Sequence, residues 1–163
     1  MIILGLDPGT ASTGYGVVEK IRNPKSEIRN GLRCLEYGCL ETPKHKTAGE
    51  RFVLLEKALL RVLEEHKPDV AAVERLFFFK NLKTVMPVSE ARGVLLLALA
   101  RKKIPTIELS PLQVKMAITG YGRADKKQIQ GMVKEILGLK EIPKPDDAAD
   151  ALALAIASSA RDA

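Results

Sequence analysis

Residues 2–18 read IILGLDPGTASTGYGVV, and this stretch decides the fold. The apolar run over residues 2–6 is typical of a strand that is buried on both faces of a sheet. It ends at Asp7, the Asp-Pro-Gly-Thr that begins there predicts a turn, and a second strand resumes over residues 15–18. Alternating apolar and polar residues over 33–40 predict a third strand, so the chain opens with a three-stranded antiparallel meander.

After residue 47 the apolar residues recur at helical spacing, interrupted by two short apolar runs. The patterns predict, in order, a helix from Ala48 that Pro68 ends, a strand over residues 70–73 that leads into Glu74, a helix over about 83–102, a strand over 106–109, and helices that begin near Ser110, Asp125 and Pro145. This order predicts a five-stranded mixed sheet, three antiparallel strands followed by parallel ones, flanked by helices. It matches the ribonuclease H-like α/β architecture, in a single domain over residues 1–163.

Residues 93–100 are apolar on every side of their predicted helix. A helix on the surface of a monomer does not tolerate this pattern. The segment is therefore predicted either to be deeply buried or to lie in a dimer interface.

The net charge, the apolar runs and the cysteines give general expectations about partners and compartment. The net charge of +6 suits a polyanionic partner, and it equally suits an ordinary basic protein. No apolar run approaches the roughly 20 residues that span a bilayer, so no membrane association is expected. Cys34 and Cys39 are interpreted as reduced, buried thiols, and the cytoplasm is the expected compartment.

Asp7 and Glu74 each close an apolar strand. If the two strands are central neighbours, both carboxylates emerge at the carboxyl edge of the sheet, where open α/β sheets bind ligands. Taken singly, either acid is better explained as a solvated residue at a strand boundary. Taken as a pair, they predict a site.

Asp147 and Asp150 are three residues apart in the last helix, so both are predicted to point at those strand ends. Asp146 and Asp150 satisfy the same geometry. Asp147 is preferred because its face continues through Ala151 and Leu154, which would anchor the helix against the sheet. Asp146 is interpreted as a cap of the helix N-terminus, where acids are common for that reason alone.

Four carboxylates cannot share a small site unpaired, because like charges at short range drive protonation. Oxygen ligands without a His or Cys cluster select Mg²⁺ or Mn²⁺ over zinc, and His45 and His66 are interpreted as solvated. We expect two Mg²⁺ ions about 4 Å apart, replaceable by Mn²⁺, that activate water for attack on a phosphodiester. The sequence therefore predicts a magnesium-dependent nuclease.

Five motifs, in order, resemble the RuvC family of Holliday junction resolvases: ILGLDPGTASTGYGVV at 3–18, VERLFFFKN at 73–81, SEARGVLLLA at 89–98, LQVKMAITGYGRADKKQIQGMV at 112–133 and DDAADALALAIA at 146–157. The resemblance implies a homodimer that nicks four-way junction DNA symmetrically in recombination and repair. It also implies partnership with the RuvA–RuvB branch-migration complex. The family's acidic positions fall on Asp7, Glu74, Asp147 and Asp150.

The resemblance further implies three DNA-binding residues. Phe77 matches the family's aromatic wedge, which stacks on an unpaired base near the crossover, and such stacking is worth roughly 1 to 3 kcal/mol. Phe78 and Phe79 are interpreted as core or interface residues. Lys115 and Lys126 match positions that contact the scissile phosphate or stabilise its developing charge.

Two other classes of function fit parts of the sequence. The run from Asp7 to Thr10, followed by Gly14, also resembles the phosphate loop of actin-like and sugar-kinase ATPases. Those enzymes need two such lobes, and 163 residues supply one. A junction-binding protein without catalysis would keep the fold, and it is disfavoured because all four acids are present.

Overall fold

The computed structural model describes residues 1–21, 31–76 and 82–160. Within these ranges the chain forms five strands and five helices. The strands are β1 (Ile2–Asp7), β2 (Ser12–Lys20), β3 (Leu32–Glu41), β4 (Val70–Glu74) and β5 (Thr106–Leu109), and the helices are α1 (Ala48–His66), α2 (Leu82–Arg101), α3 (Pro111–Thr119), α4 (Lys126–Leu137) and α5 (Asp146–Ser159).

The strands form one mixed sheet in the order β3-β2-β1-β4-β5. β2 pairs antiparallel with both β1 and β3, whereas β4 runs parallel to β1 and β5 runs parallel to β4. This confirms the predicted five-stranded mixed sheet. Because β1 and β4 are adjacent and parallel, the residues that end them, Asp7 and Glu74, emerge at the same edge.

Two layers of helices cover the two faces of the sheet. Ile3 of β1 packs in the cluster under α3, α4 and α5, while Leu4 and Leu6 pack in the cluster under α1 and α2. All three side chains are fully buried. β1 is a continuous apolar run because successive side chains alternate between two covered faces.

α5 lies against the centre of the sheet, and every residue from 151 to 159 is buried. The approach is so close that a Cβ added at Gly5 would stand 1.9 Å from the carbonyl oxygen of Ala151. Only glycine leaves room for the helix backbone at this position. The first turn of α5 is thereby held over the ends of β1 and β2.

Residues 93–100 in α2 are buried on one side of the helix and exposed on the other, so the prediction of burial holds for part of the segment. Leu95, Ala98 and Leu99 are buried against α1, whereas Gly93 and Leu97 face solvent in the single chain. One side of this apolar segment is therefore core, and the opposite side is an apolar surface.

Cys34 and Cys39 are free, but they are half-buried rather than buried as predicted, because β3 is an edge strand of the sheet.

Within residues 1–21, 31–76 and 82–160, none of the helices combines the length and the apolar character that a membrane span requires.

Candidate active site

Asp7 and Glu74 stand side by side at the carboxyl edge of the sheet. Leu6 pairs with Val73 in the parallel register of β1 and β4, so the next residue of each strand is one of the two acids. Asp7 shares the face of β1 that holds Gly5 and therefore points toward α5. The side chains of Asp7 and Glu74 contact each other, and this contact lowers the pKa of Glu74 against the larger rise that burial causes.

α5 adds two more carboxylates from its first turns. Asp147 and Asp150 are half-buried, and each offers a carboxylate oxygen within 4.8 Å of the other and of an oxygen of Asp7. Three of the four acids that were predicted to share a site, Asp7, Asp147 and Asp150, therefore form one cluster. Glu74 lies next to this cluster and lines the same cavity as Asp7 and Asp150.

The electrostatics of these acids favour bound positive charge. Burial, followed by the charges of Glu74, Asp150 and Asp147, raises the pKa of Asp7 to about 8. Burial also raises the pKa of Glu74 and of Asp150. Carboxylates crowded in this way hold protons unless a cation replaces them. The donor set of carboxylate oxygens fits a hard divalent ion.

A cavity of about 220 Å³ opens beside the acids. Its polar walls are Asp7, Glu74, Asp150 and the two lysines that were predicted to bind DNA, Lys115 and Lys126. The rest of its lining is apolar and comes from α3, α4 and α5. Acidic and basic groups thus face one another across a space that is open to solvent.

The two lysines reach the cavity from different helices. Lys115 is half-buried on α3, whereas Lys126 is the exposed first residue of α4, directly after the capping residue Asp125. The Nζ of Lys126 lies 3.2 Å from Oδ2 of Asp150. Phe77, predicted as the aromatic wedge, lies outside the described residues, as do Phe78 and Phe79.

Asp146 does not play the part that was predicted for it. The N-cap residue of α5 is Pro145, and no side chain caps this helix. The Asp146 carboxylate instead contacts Gln130 and Lys126 of α4. Ala151 and Leu154, below Asp147, are buried as predicted, but the alanines below Asp146 are buried too, so this feature does not distinguish the two acids.

Sequence reasoning missed Arg92, which fixes the end of β4. Its Nε donates to the backbone carbonyl of Glu74 at 3.2 Å, and its Nη2 lies 2.9 Å from Oε2 of Glu108 on β5. The side chain is only 18% exposed. An arginine inside a largely apolar helix was the signal, because a guanidinium that is largely removed from water needs partners.

The prediction for His66 was wrong as well. Its ring is 14% exposed, and its Nε2 contacts Oε2 of Glu36 on β3. The other oxygen of Glu36 accepts a hydrogen bond from the Tyr15 hydroxyl at 3.0 Å. Glu65 joins Glu36 and His66 in a second cluster of possible metal ligands, on the face of the sheet that α1 covers.

Residues 3–158 match the family model described as crossover junction endodeoxyribonuclease RuvC. The RuvC proteins of Desulfitobacterium hafniense and Desulforamulus reducens are 51% and 53% identical over 156 residues, which cover 96% of this chain and 90% and 91% of theirs. The solved structure of Thermus thermophilus RuvC in complex with Holliday junction substrate is 35% identical, with a TM-score of 0.86, and the match covers 98% of this chain and 93% of that one. These matches confirm the resemblance and the ribonuclease H-like fold. The chain therefore belongs to the RuvC family of crossover junction endodeoxyribonucleases.

Proposed function

We propose that this chain resolves four-way DNA junctions by paired, symmetric nicks, in a single nuclease domain over residues 1–163. One observation carries the proposal: the four acids and two lysines converge at the carboxyl edge of the sheet in a member of the RuvC family. The T. thermophilus relative, described with a Holliday junction substrate, supports the choice of DNA.

Asp7, Glu74, Asp147 and Asp150 are the proposed ligands of the metal. The proposed ion is Mg²⁺, two per site and replaceable by Mn²⁺, because the donors are all carboxylate oxygens. Bound there, the ions would activate water and stabilise the leaving oxygen of an in-line phosphodiester displacement. Asp7 is central among the four acids, because it contacts Glu74 and lies close to both acids of α5.

Three other residues are proposed to bind the junction. Lys115 and Lys126 line the same cavity as the acids, so their ammonium groups are placed to contact the scissile phosphate. They would also offset charge that develops on its oxygens. Phe77 is proposed, from its place in the VERLFFFKN motif, to stack on a base that is unpaired near the crossover.

A homodimer is proposed because two nicks need two sites. The outer side of α2 presents Met86, 65% exposed, and Leu97, 50% exposed, with Gly93 and Ala100 beside them. An exposed apolar surface of this kind is typical of an interface between proteins. Action in the cytoplasm together with the RuvA–RuvB complex is proposed from family membership alone.

Cleavage of a synthetic four-way junction tests the proposal. Each of the four strands is labelled in turn, and the protein is incubated with Mg²⁺, Mn²⁺ or EDTA. We expect symmetric nicks on two strands of like polarity, which need the metal and are absent on linear duplex. Asp7→Asn should abolish cleavage and leave junction binding largely intact, while Glu141→Gln, an exposed acid away from the cavity lining, should cut like wild type.

Two results would overturn the proposal. Junction binding without nicks in either metal would identify a binding protein rather than a nuclease. Saturable ATP binding with turnover, and no action on junctions, would identify a phosphate-loop enzyme instead.

A further inference from the structure

Lys126 contacts two acids of α5 at once. Its Nζ lies 3.2 Å from Oδ2 of Asp150 and 3.3 Å from Oδ2 of Asp146. Asp150 lines the cavity beside Asp7 and Glu74, whereas Asp146 does not line it. One ammonium group therefore bridges an acid of the site and an acid outside it.

The two oxygens of Asp146 are used separately. Oδ2 meets Lys126, while Oδ1 accepts a hydrogen bond from Nε2 of Gln130 at 3.1 Å. Gln130 lies four residues after Lys126 on α4 and is only 9% exposed. A buried amide that lost this acceptor would stay unsatisfied, so the contact holds the Asp146 carboxylate in one orientation.

We propose that Asp146 and Gln130 are positioning residues that hold the Lys126 ammonium at the rim of the acidic site. The inference rests on the proposed function, because it concerns a lysine assigned there to the scissile phosphate. When the Asp150 carboxylate binds a divalent cation, that cation repels the Lys126 ammonium. Asp150 then no longer holds the lysine in place. Asp146 keeps a carboxylate beside Lys126 without being a ligand itself.

Because Lys126 and Asp146 are exposed, a positioning role can be distinguished from a contribution to folding stability. The side chains of Lys126 and Asp146 are 51% and 63% exposed, and exposed ion pairs add little to folding stability. Removing the Asp146 charge should therefore change the melting temperature only slightly. Without this partner, the flexible lysine would rotate into solvent, and only catalysis would suffer.

A double-mutant cycle tests the proposal. Single-turnover cleavage of the junction in Mn²⁺ is measured for wild type, Asp146→Asn, Lys126→Ala and the double variant, with junction affinity measured in Ca²⁺. We expect Asp146→Asn to slow cleavage roughly tenfold, the scale of an outer-shell partner, with unchanged affinity. In the Lys126→Ala background the same change should alter the rate less than about twofold, because the group it positions is gone.

Gln130→Met, which keeps the shape but not the donor, should slow cleavage in the same direction. Asp146→Glu should restore part of the rate, and Glu141→Gln serves as the charge-matched control. An equal loss from Asp146→Asn with and without Lys126 would overturn the inference, and so would a wild-type rate in that variant. If wild-type protein fails to cut junctions at all, the proposed function fails instead, so the two failures are distinguishable.

Discussion

A Cβ placed on Gly14 would stand 2.0 Å from the backbone carbonyl oxygen of Asp147, so the backbones of β2 and α5 touch at this point. Gly14 is also the residue paired with Asp7 between β2 and β1. The missing side chain at Gly14 thus sets how closely the first turn of α5 approaches Asp7. The spacing of the proposed metal ligands depends on a residue that carries no functional group.

Gly14→Ala is expected to move α5 away from the sheet. Overpacking at such a site destabilises a fold by about 1 to 3 kcal/mol. The rate of junction cleavage should fall by roughly 100-fold, because small displacements of catalytic groups are costly. Urea unfolding and single-turnover cleavage measure the two effects.

Gly131→Ala is the matched control for this change. A Cβ at Gly131, inside α4, meets nothing within 4 Å, so the alanine should add about 0.5 to 1 kcal/mol of stability and leave cleavage unchanged. Equal behaviour of the two variants would contradict the role of Gly14.

The metal-free protein is expected to lose stability as the pH rises from 5 to 8. The pKa of Asp7 is about 8 in the folded protein against 3.8 for an ordinary aspartate, so the folded state keeps a proton that the unfolded chain has released. Whenever the folded state binds more protons, stability falls with rising pH. Melting temperatures in EDTA should show this decline, and Asp7→Asn should reduce it. The idea fails if the two proteins show the same pH dependence.

Leu97→Glu should convert the proposed dimer to a monomer, because it places a charge in the centre of the exposed apolar side of α2. Light scattering measures the mass, and strand mapping should then show single nicks in place of paired ones. Val53→Glu on α1 is the control, since Val53 is 52% exposed and Leu97 is 50% exposed. Wild-type protein that is monomeric at working concentration would contradict the prediction.

Glu36→Gln should lower stability at pH 7 and lower it less at pH 3. The hydrogen bond with His66 and, after it, the one from Tyr15 hold the pKa of Glu36 below its ordinary value. A lowered carboxyl pKa stabilises the fold above its unfolded value, and the contribution is lost as the pH falls through the folded one. Glu41→Gln on the same strand is the control, and thermal unfolding at both pH values measures the difference. A loss of the same size at pH 3 as at pH 7 would mean that packing, not charge, is responsible.

Local signals predicted the boundaries of several elements well. Ser110 and Asp125 cap α3 and α4, and each was visible as a residue type at a helix start. β2 was predicted over residues 15–18 but spans Ser12–Lys20, because pairing with strands on both sides imposes extended backbone on residues of weak strand preference.

The acids of the candidate site were predictable from the sequence, because they stand at the ends of strands or at the start of a helix. Their partners were not, because Arg92, Gln130 and His66 meet acids 16 to 30 positions away in the chain. No local sequence pattern encodes contacts between residues this far apart in the chain. These contacts depend on how the helices pack on the sheet.

The burial of α5 prevents this helix from opening locally. Its residues 151–159 lie between the sheet and the outer helices, so the backbone hydrogen bonds of this helix cannot open without separating the layers of the protein. Amide hydrogen exchange in α5 should therefore proceed only through global unfolding. Asp147 and Asp150 stand at the start of this most protected element, and warming should leave their spacing intact until the whole molecule melts.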